Sequence, residues 1–400
     1  MAVPRLLTVA NPDGARRELL AVGCDPSGIE RMADKMVGRL VKVPQLPCRA
    51  AQRLQQELRA LGGDVARARG SETGSPVTDV ILIGTLQQLR QLTRGLASQP
   101  FGLAALGQEL AELLAHLDHP GRILAGSTCR LEIDRPLIMG ILNVAPDSFS
   151  DGGSFSRLPA ALAHARQLMA EGADLIDVGG ESTRPGAPPV TVAEELARVV
   201  PVIEALTAAG SVPISIDTTK AEVARAALAA GAEFVNDISG FTFDEELPAV
   251  TAAAGAGAFL MHTRGLPAEM QRETRYRDLI GEVLAGLSAS LTRARQAGIP
   301  EEKLAIDPGI GFGKDVAGNL EILRRLPEFL ALGRPLLLGT SRKSFIGKIL
   351  DQADPLRRLH GTLATVALGV AGGARIFRVH DVGPAREAAQ MAWAISREPE

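Results

Sequence analysis

From residue 137 onward the chain alternates between two textures. Short apolar runs are separated by longer stretches in which Ala and Leu recur at helical spacing among Glu, Arg and Gln. The runs are LIMGILN (137–143), LIDVGG (175–180), PISID (213–217), FVNDI (234–238), AFLMH (258–262), LAID (304–307), PLLLG (335–339) and RIFRVH (375–380). Between them lie helix-period segments such as LPAALAHARQLMAEGA, VAEELARVVPVIEALTAAG, KAEVARAALAAGA and RDLIGEVLAGLSASLTRARQAG. A run that is apolar almost throughout is buried on both faces, as in a parallel sheet. Eight such units in about 260 residues match the size of a (β/α)8 TIM barrel. An open doubly wound sheet is the alternative arrangement.

The first 120 residues read differently. AAQRLQQELRALGG and FGLAALGQELAELLAHLDH have helical periodicity, and Leu6–Val9 and Val80–Ile83 read as strands. The stretch GSETGSP (70–76) is turn-rich. His119-Pro120-Gly121 suits the end of a helix. The expectation is a small α/β domain over 1–120, without a chemical constellation, and a barrel domain over 121–400.

Composition narrows the classes. A hydrophobic share of 46% rules out global disorder. A net charge of −3 argues against a nucleic-acid or membrane-surface protein. Cys24, Cys48 and Cys129 have no metal-type spacing and suit a reduced compartment. The start lacks the apolar core of a secretion signal, and no apolar run reaches the roughly 20 residues of a spanning helix. A cytoplasmic protein is expected.

The runs end, at their carboxyl sides, in glycine or in functional groups: Asn143, Gly179-Gly180-Glu181, Asp217, Asn236-Asp237, His262, Asp307-Pro308-Gly309, Ser341-Arg342-Lys343 and Arg378-Val379-His380. In a parallel barrel these ends open on the face that carries active sites. Asp217, Asn236 and Asp307 supply acceptors and an amide for a flat heterocycle bearing N–H donors. Ser341, Arg342, Lys343, Arg378 and His380 follow the seventh and eighth runs, where barrels commonly hold phosphate. The competing reading is that Arg342 or Arg378 pairs with a buried carboxylate. GIGFGK (309–314) has neither phosphate-loop nor dinucleotide spacing, and HExxH, CxxC and GxSxG are absent.

Five groups of residues resemble the dihydropteroate synthase family of pterin-binding enzymes. They are MGILNVAPDSFSDGG (139–153), DVGGESTRPGA (177–187), IDTTKAEVA (216–224) with FVNDISG (234–240), DPGIGFGK (307–314), and TSRKSFIG (340–347) with RVHDV (378–382). The resemblance implies a (β/α)8 barrel. It also implies condensation of 6-hydroxymethyl-7,8-dihydropterin diphosphate with 4-aminobenzoate in folate synthesis, by a dissociative mechanism. Carried over to this chain, it implies pterin binding by Asp217, Asn236, Asp307, Lys343 and Arg378, with Asp217, Asp307, Lys343 and Arg378 as the catalytic set. Asn143, Arg378 and His380 correspond to diphosphate ligands, with Asn143 at a Mg2+ site. Phe149, Asp151, Thr183, Arg184 and Pro185, with Ser341, correspond to the aminobenzoate pocket. The family's homodimer and sensitivity to sulfonamides are further expectations. Ala145 and Thr263 depart from the commoner residues of the family. A pterin-dependent methyltransferase on a related barrel, or a non-catalytic scaffold, are the rival readings; SRKS with RVHDV, at a diphosphate site, argues against the first.

Overall fold

The computed structural model describes residues 3–68, 76–118, 121–144, 154–182, 189–210 and 212–397. The chain forms two compact units, Met1–Asp118 and His119–Glu400.

In the first unit, strands Gly38–Pro47, Asp64–Arg67 and Val77–Thr85 form an antiparallel sheet with Val77–Thr85 in the middle. One sheet face buries Val41, Val43, Val65, Val80 and Leu82 against leucines of the helices, among them Leu54, Leu58, Leu92 and Leu96. The expected strand at Leu6–Val9 does not form: residues 3–10 have no regular structure and Leu6 is fully exposed. An apolar run without a partner strand gains nothing by extending. Conversely, Gly38–Pro47 is a strand that its prolines disguise. Its ladder shifts register between Val43 and Leu46, where Gln45 takes a φ of 53°, and this irregularity accommodates Pro44.

The second unit is a closed barrel. Its strands are Leu137–Asn143, Leu175–Gly179, Ile214–Asp217, Phe234–Asp237, Gly257–Met261, Leu304–Asp307, Leu337–Leu338 and Ile376–Val379, hereafter first to eighth. All pairings are parallel, in the order six-five-four-three-two-one-eight-seven. A parallel bridge between Ile306 and Leu336 joins the sixth strand to the seventh and closes the ring, so the open-sheet alternative does not apply.

Alternation along each strand separates two apolar environments. Ile138, Leu142, Ile176, Val178, Ile214, Ile216, Leu260, Ile306, Leu338 and Phe377 point outward and pack under the helices. Leu137, Met139, Leu175, Phe234, Phe259, Ala305, Leu337 and Ile376 fill the lower lumen together with Leu124 and Ile133. Leu124 lies in, and Ile133 directly follows, a hairpin, Ile123–Ala125 and Arg130–Glu132, that stops the amino-terminal end of the barrel. Glu233 anchors the hairpin turn by accepting from Ser127 Oγ at 2.8 Å, Thr128 N at 2.8 Å and Thr128 Oγ1. Lys303 Nζ donates to the Gly126 carbonyl at 2.7 Å. The lumen is therefore dry at its base, and any ligand must enter from the carboxyl-terminal face.

Candidate active site

Two residues beyond the apolar floor, the same inward positions turn polar. Leu175 gives way to Asp177, Phe234 to Asn236, Ala305 to Asp307 and Ile376 to Arg378, and on the third strand Asp217 stands two residues beyond the already polar, buried Ser215. The period of two along a strand places all five in the upper lumen. Asn143, Gly179, Asp217 and Asn236 are successive neighbours across the first four strands.

Arg378 is the centre of this ring. Its Nε donates to Asp177 Oδ2 and its Nη2 to Asp217 Oδ2, each at 2.6 Å. Asn236 Nδ2 donates to the same Asp177 oxygen at 2.9 Å. Asp177 is fully buried and its other oxygen has no partner among the described residues. It was not among the expected site residues, although a lone carboxylate inside LIDVG was a visible signal. A charge in an otherwise apolar strand must be paired.

On the opposite arc, Asp307 Oδ1 accepts from Gly309 N at 2.7 Å. Lys343 Nζ donates to the Ile310 carbonyl and lies 4.7 Å from the centre of the Phe312 ring. Gly339 ties the two arcs together. A Cβ there would lie 3.8 Å from Asp307 Oδ2, 3.9 Å from Lys343 Nζ and 3.9 Å from Arg378 Cβ. Asn143 stands beside Gly179, whose Cβ position would be 3.5 Å from Asn143 Oδ1 and 3.7 Å from Asp217 Oδ2. Thus Asn143, Asp217, Asn236, Asp307, Lys343 and Arg378, scattered in sequence, meet at one mouth. Ser341 and His380 form a neighbouring pair: Ser341 Oγ lies 2.9 Å from His380 Nδ1 and accepts from His380 N at 3.1 Å.

Arg342 and Arg378, of the expected cation set, both pair with carboxylates, as the competing reading had it, Arg378 with Asp177 and Asp217 and Arg342 with Asp381. The Arg342 guanidinium makes a two-point pair with Asp381, at 3.0 and 2.5 Å, and its φ is 58°. It braces the loop after the seventh strand. Phe149, Asp151, Thr183, Arg184 and Pro185 lie outside the described residues, as does Ala145. Thr263 is half-buried, with its hydroxyl toward Met270 Sδ at 4.0 Å.

Lys314, set aside with its glycine-rich motif, proves to be a structural cation. Its buried Nζ donates to the carbonyls of His262, Gly309 and Phe312 at 3.2, 3.0 and 2.9 Å. Gly309 is required here: its φ is 71°, and a Cβ would overlap the His262 carbonyl oxygen. This knot holds the loop that carries Gly309 N to Asp307 and the Ile310 carbonyl to Lys343.

Burial sets the ionisation of the ring. It pushes the Asp217 carboxyl up to about 7, against the pull of Arg378 and with the push of Asp177 and Glu195. Burial likewise raises Asp307, opposed by Lys343. It lowers Lys343 to about 8 and His262 to about 3. Asp217 and Lys343 thus sit near neutrality in a low-dielectric mouth, where small changes in ligand charge shift protons.

Fold and site together are those of a barrel enzyme with a buried polar ring at its strand-end mouth. Residues 139–380 match the pterin binding enzyme family. The chain is 54% identical over 263 residues to a dihydropteroate synthase of Synechocystis, covering 66% of this chain and 91% of the relative. It is 40% identical over 409 residues to a probable bifunctional folylpolyglutamate synthase/dihydropteroate synthase of Haloferax volcanii. That match takes in 97% of this chain, the first unit included, and 47% of the relative, so the chain spans about half of that protein. A solved structure of Xanthomonas albilineans dihydropteroate synthase in complex with 7,8-dihydropteroate has a TM-score of 0.63 and 41% identity, covering 69% of this chain and 100% of that one. The chain belongs to the pterin binding enzyme family, in its dihydropteroate synthase branch, and is a transferase.

Two measurements check the electrostatics of the ring. Asp177→Ala strands Arg378 and Asn236 in a buried setting; the expected loss of stability in urea titration is about 3–5 kcal/mol, and a loss below about 1 kcal/mol would contradict the pairing. For Asp217, the carboxyl pKa is 3.8 in the unfolded chain and about 7 in the folded one. Its contribution is therefore fully present below pH 3.8 and lost as pH rises through about 7. Asp217→Asn is expected to flatten the ligand-free protein's stability over that window; an unchanged pH slope would contradict the assignment.

Proposed function

We propose that the chain condenses 6-hydroxymethyl-7,8-dihydropterin diphosphate with 4-aminobenzoate, releasing 7,8-dihydropteroate and diphosphate. The observation that carries this reading is the convergence of Asp217, Asn236, Asp307, Lys343 and Arg378 at one mouth of a barrel whose relatives are dihydropteroate synthases. Carboxylates and an amide answer the N–H groups and ring nitrogens of a pterin, and the Arg378 guanidinium offers a flat cationic face to its ring.

The reaction is dissociative. The bond between the pterin methylene carbon and the diphosphate oxygen breaks first, and its electron pair leaves with diphosphate. The amine nitrogen of aminobenzoate then attacks the pterin-methylene cation and loses a proton. Asp217 and Asp307 stabilise positive charge spreading over the pterin, and Asn143, Arg378 and His380 receive the leaving group. Phe149, Asp151, Thr183, Arg184 and Pro185, with Ser341, form the aminobenzoate side. An arylamine needs no general base before attack, so the chemistry rests on charge placement.

A magnesium ion fits this arrangement in a particular way. Among the described residues no cluster of three or more His, Cys, Asp or Glu forms a metal cage. The amide oxygen of Asn143 alone suits an ion held chiefly by the substrate's own diphosphate oxygens and by water. Such an ion would supply countercharge to the departing diphosphate.

Exposed Leu368, Met391 and Ile395 on the last two helices support a homodimer. The sparse cysteines Cys24, Cys48 and Cys129, without metal-type spacing, support a reducing, cytoplasmic setting. No described helix is long and apolar enough to cross a membrane.

The test is an assay with both substrates. The expected result is one diphosphate released per dihydropteroate formed, dependent on 4-aminobenzoate; release of no diphosphate, or transfer of a methyl group instead, would contradict the reading.

A further inference from the structure

The loop after the sixth strand makes a tight turn over Gly309–Phe312. Phe312 N donates to the Gly309 carbonyl at 3.1 Å, and Gly311, the third residue of the turn, has a φ of 83°. A closing hydrogen bond with a positive φ at the third position marks a type II turn, and glycine suits that position. Types I and II differ chiefly in which way the peptide between the two central residues faces. Here that peptide is Ile310–Gly311, and both of its polar groups are engaged. Its carbonyl accepts from Lys343 Nζ, and its N–H donates to Asn319 Oδ1 at 2.7 Å. Turned over, it would carry its carbonyl away from Lys343 and its N–H away from Asn319.

Asn319 is 3% exposed and lies in the helix Val316–Arg324, which follows the loop. Its Nδ2 donates to the Asp315 carbonyl at 2.8 Å and the Lys314 carbonyl at 3.4 Å, which leaves Oδ1 for Gly311 N. The start of the helix is capped separately, by Asp315 Oδ1 accepting from Gly318 N at 2.7 Å. Capping therefore does not account for the Asn319 side chain. Packing couples the turn to the lysine as well: a Cβ on Gly311 would lie 3.2 Å from Lys343 Cδ. A lysine ammonium on its flexible stem goes where acceptors hold it, so the facing of one peptide decides where the charge of Lys343 sits.

We propose that Asn319 is a positioning residue for the pterin end of the site. By holding the N–H of the Ile310–Gly311 peptide, it keeps the carbonyl of that peptide turned to Lys343 and so sets the place of the ammonium at the pterin edge. Asn319 touches no reacting atom. The proposal deepens the reading of function above and rests on it in one respect, that Lys343 binds the pterin.

The experiment uses the full chain, with ligand-free crystal structures and calorimetric titration of 6-hydroxymethylpterin. In Asn319→Ala the Gly311 N–H loses its acceptor. The expected structure has the Ile310–Gly311 peptide turned and Lys343 Nζ off the Ile310 carbonyl. The expected loss of pterin affinity is roughly tenfold, the scale of a hydrogen bond to a charged group. In a Lys343→Ala background the same substitution is expected to lower affinity by less than about twofold, because effects passed through one residue do not add. An equal loss in both backgrounds, wild-type affinity in Asn319→Ala, or a peptide and ammonium unmoved in its structure would make Asn319 a brace of the loop alone and overturn the proposal. Asn319→Asp keeps an oxygen for Gly311 N and gives up the ties to Lys314 and Asp315. Affinity near that of wild type is expected of it, and a loss equal to that of Asn319→Ala would overturn the proposal. Should Asn319→Ala not fold, Gly311→Ala is the second variant. It disfavours the positive φ, and with it the same facing of the peptide, while leaving the other ties of Asn319 in place. The same loss is expected, and wild-type affinity would overturn the proposal. A wild-type chain that binds no 6-hydroxymethylpterin would sink the reading of function, while the ligand-free structure of Asn319→Ala would still judge the role of Asn319.

Discussion

One guanidinium allows two carboxylates to share the upper lumen. Asp177 and Asp217 face each other across Arg378, and each bond is 2.6 Å long. Without the arginine, two carboxylates would be buried close together with no cation between them. With it, Asp177 stays available to orient Asn236, and Asp217 titrates near neutrality at about 7. The polar ring above the floor depends on this balance. Burial makes it costly to assemble and, for the same reason, strong in its effect on a charged ligand.

The rest of the barrel keeps that ring dry below and positioned above. The hairpin anchored on Glu233 closes the base, and Phe234 and Phe259 pack at 5.5 Å between ring centres beneath the polar layer. On the rim, lysines serve the backbone. Lys314 collects three carbonyls of the loop after the sixth strand, and Lys220 collects one carbonyl and two carboxylates near the second and third. In both places a lysine replaces the water that would otherwise satisfy those acceptors. Loops that must meet a ligand are thus held by interior charge, and the helices outside need supply only apolar packing.

The barrel was legible in the sequence because burial on both faces leaves little room for ambiguity. LAID at 304–307 is the sixth strand residue for residue, and LIMGILN at 137–143 is the first. The run at 335–339 shrinks to Leu337–Leu338, because the neighbouring sixth strand reaches it through a single bridge at Leu336. The strand-end residues Asp217, Asn236 and Asp307 were legible for the same reason: polar groups in apolar strands stand out. Asp177 was overlooked because it lies inside its run, two residues before the polar end that drew attention. The partner of Arg342 was not legible, because Asp381 is 39 residues away and sequence spacing does not reveal a pair. In the first unit, Leu6–Val9 shows the limit of composition. Strand formation depends on a partner, and a short apolar run carries no information about one.

The central claim is spatial: a pterin ring lies in the upper lumen, against Arg378 and between the two arcs of the polar ring. A crystal structure of the chain soaked with 6-hydroxymethylpterin tests it most directly. The account predicts ring nitrogens within hydrogen-bond distance of Asp217, Asn236 and Asp307, with Lys343 at the ring edge. A pterin bound elsewhere on the barrel, with the Arg378 pairs unvisited, would contradict it.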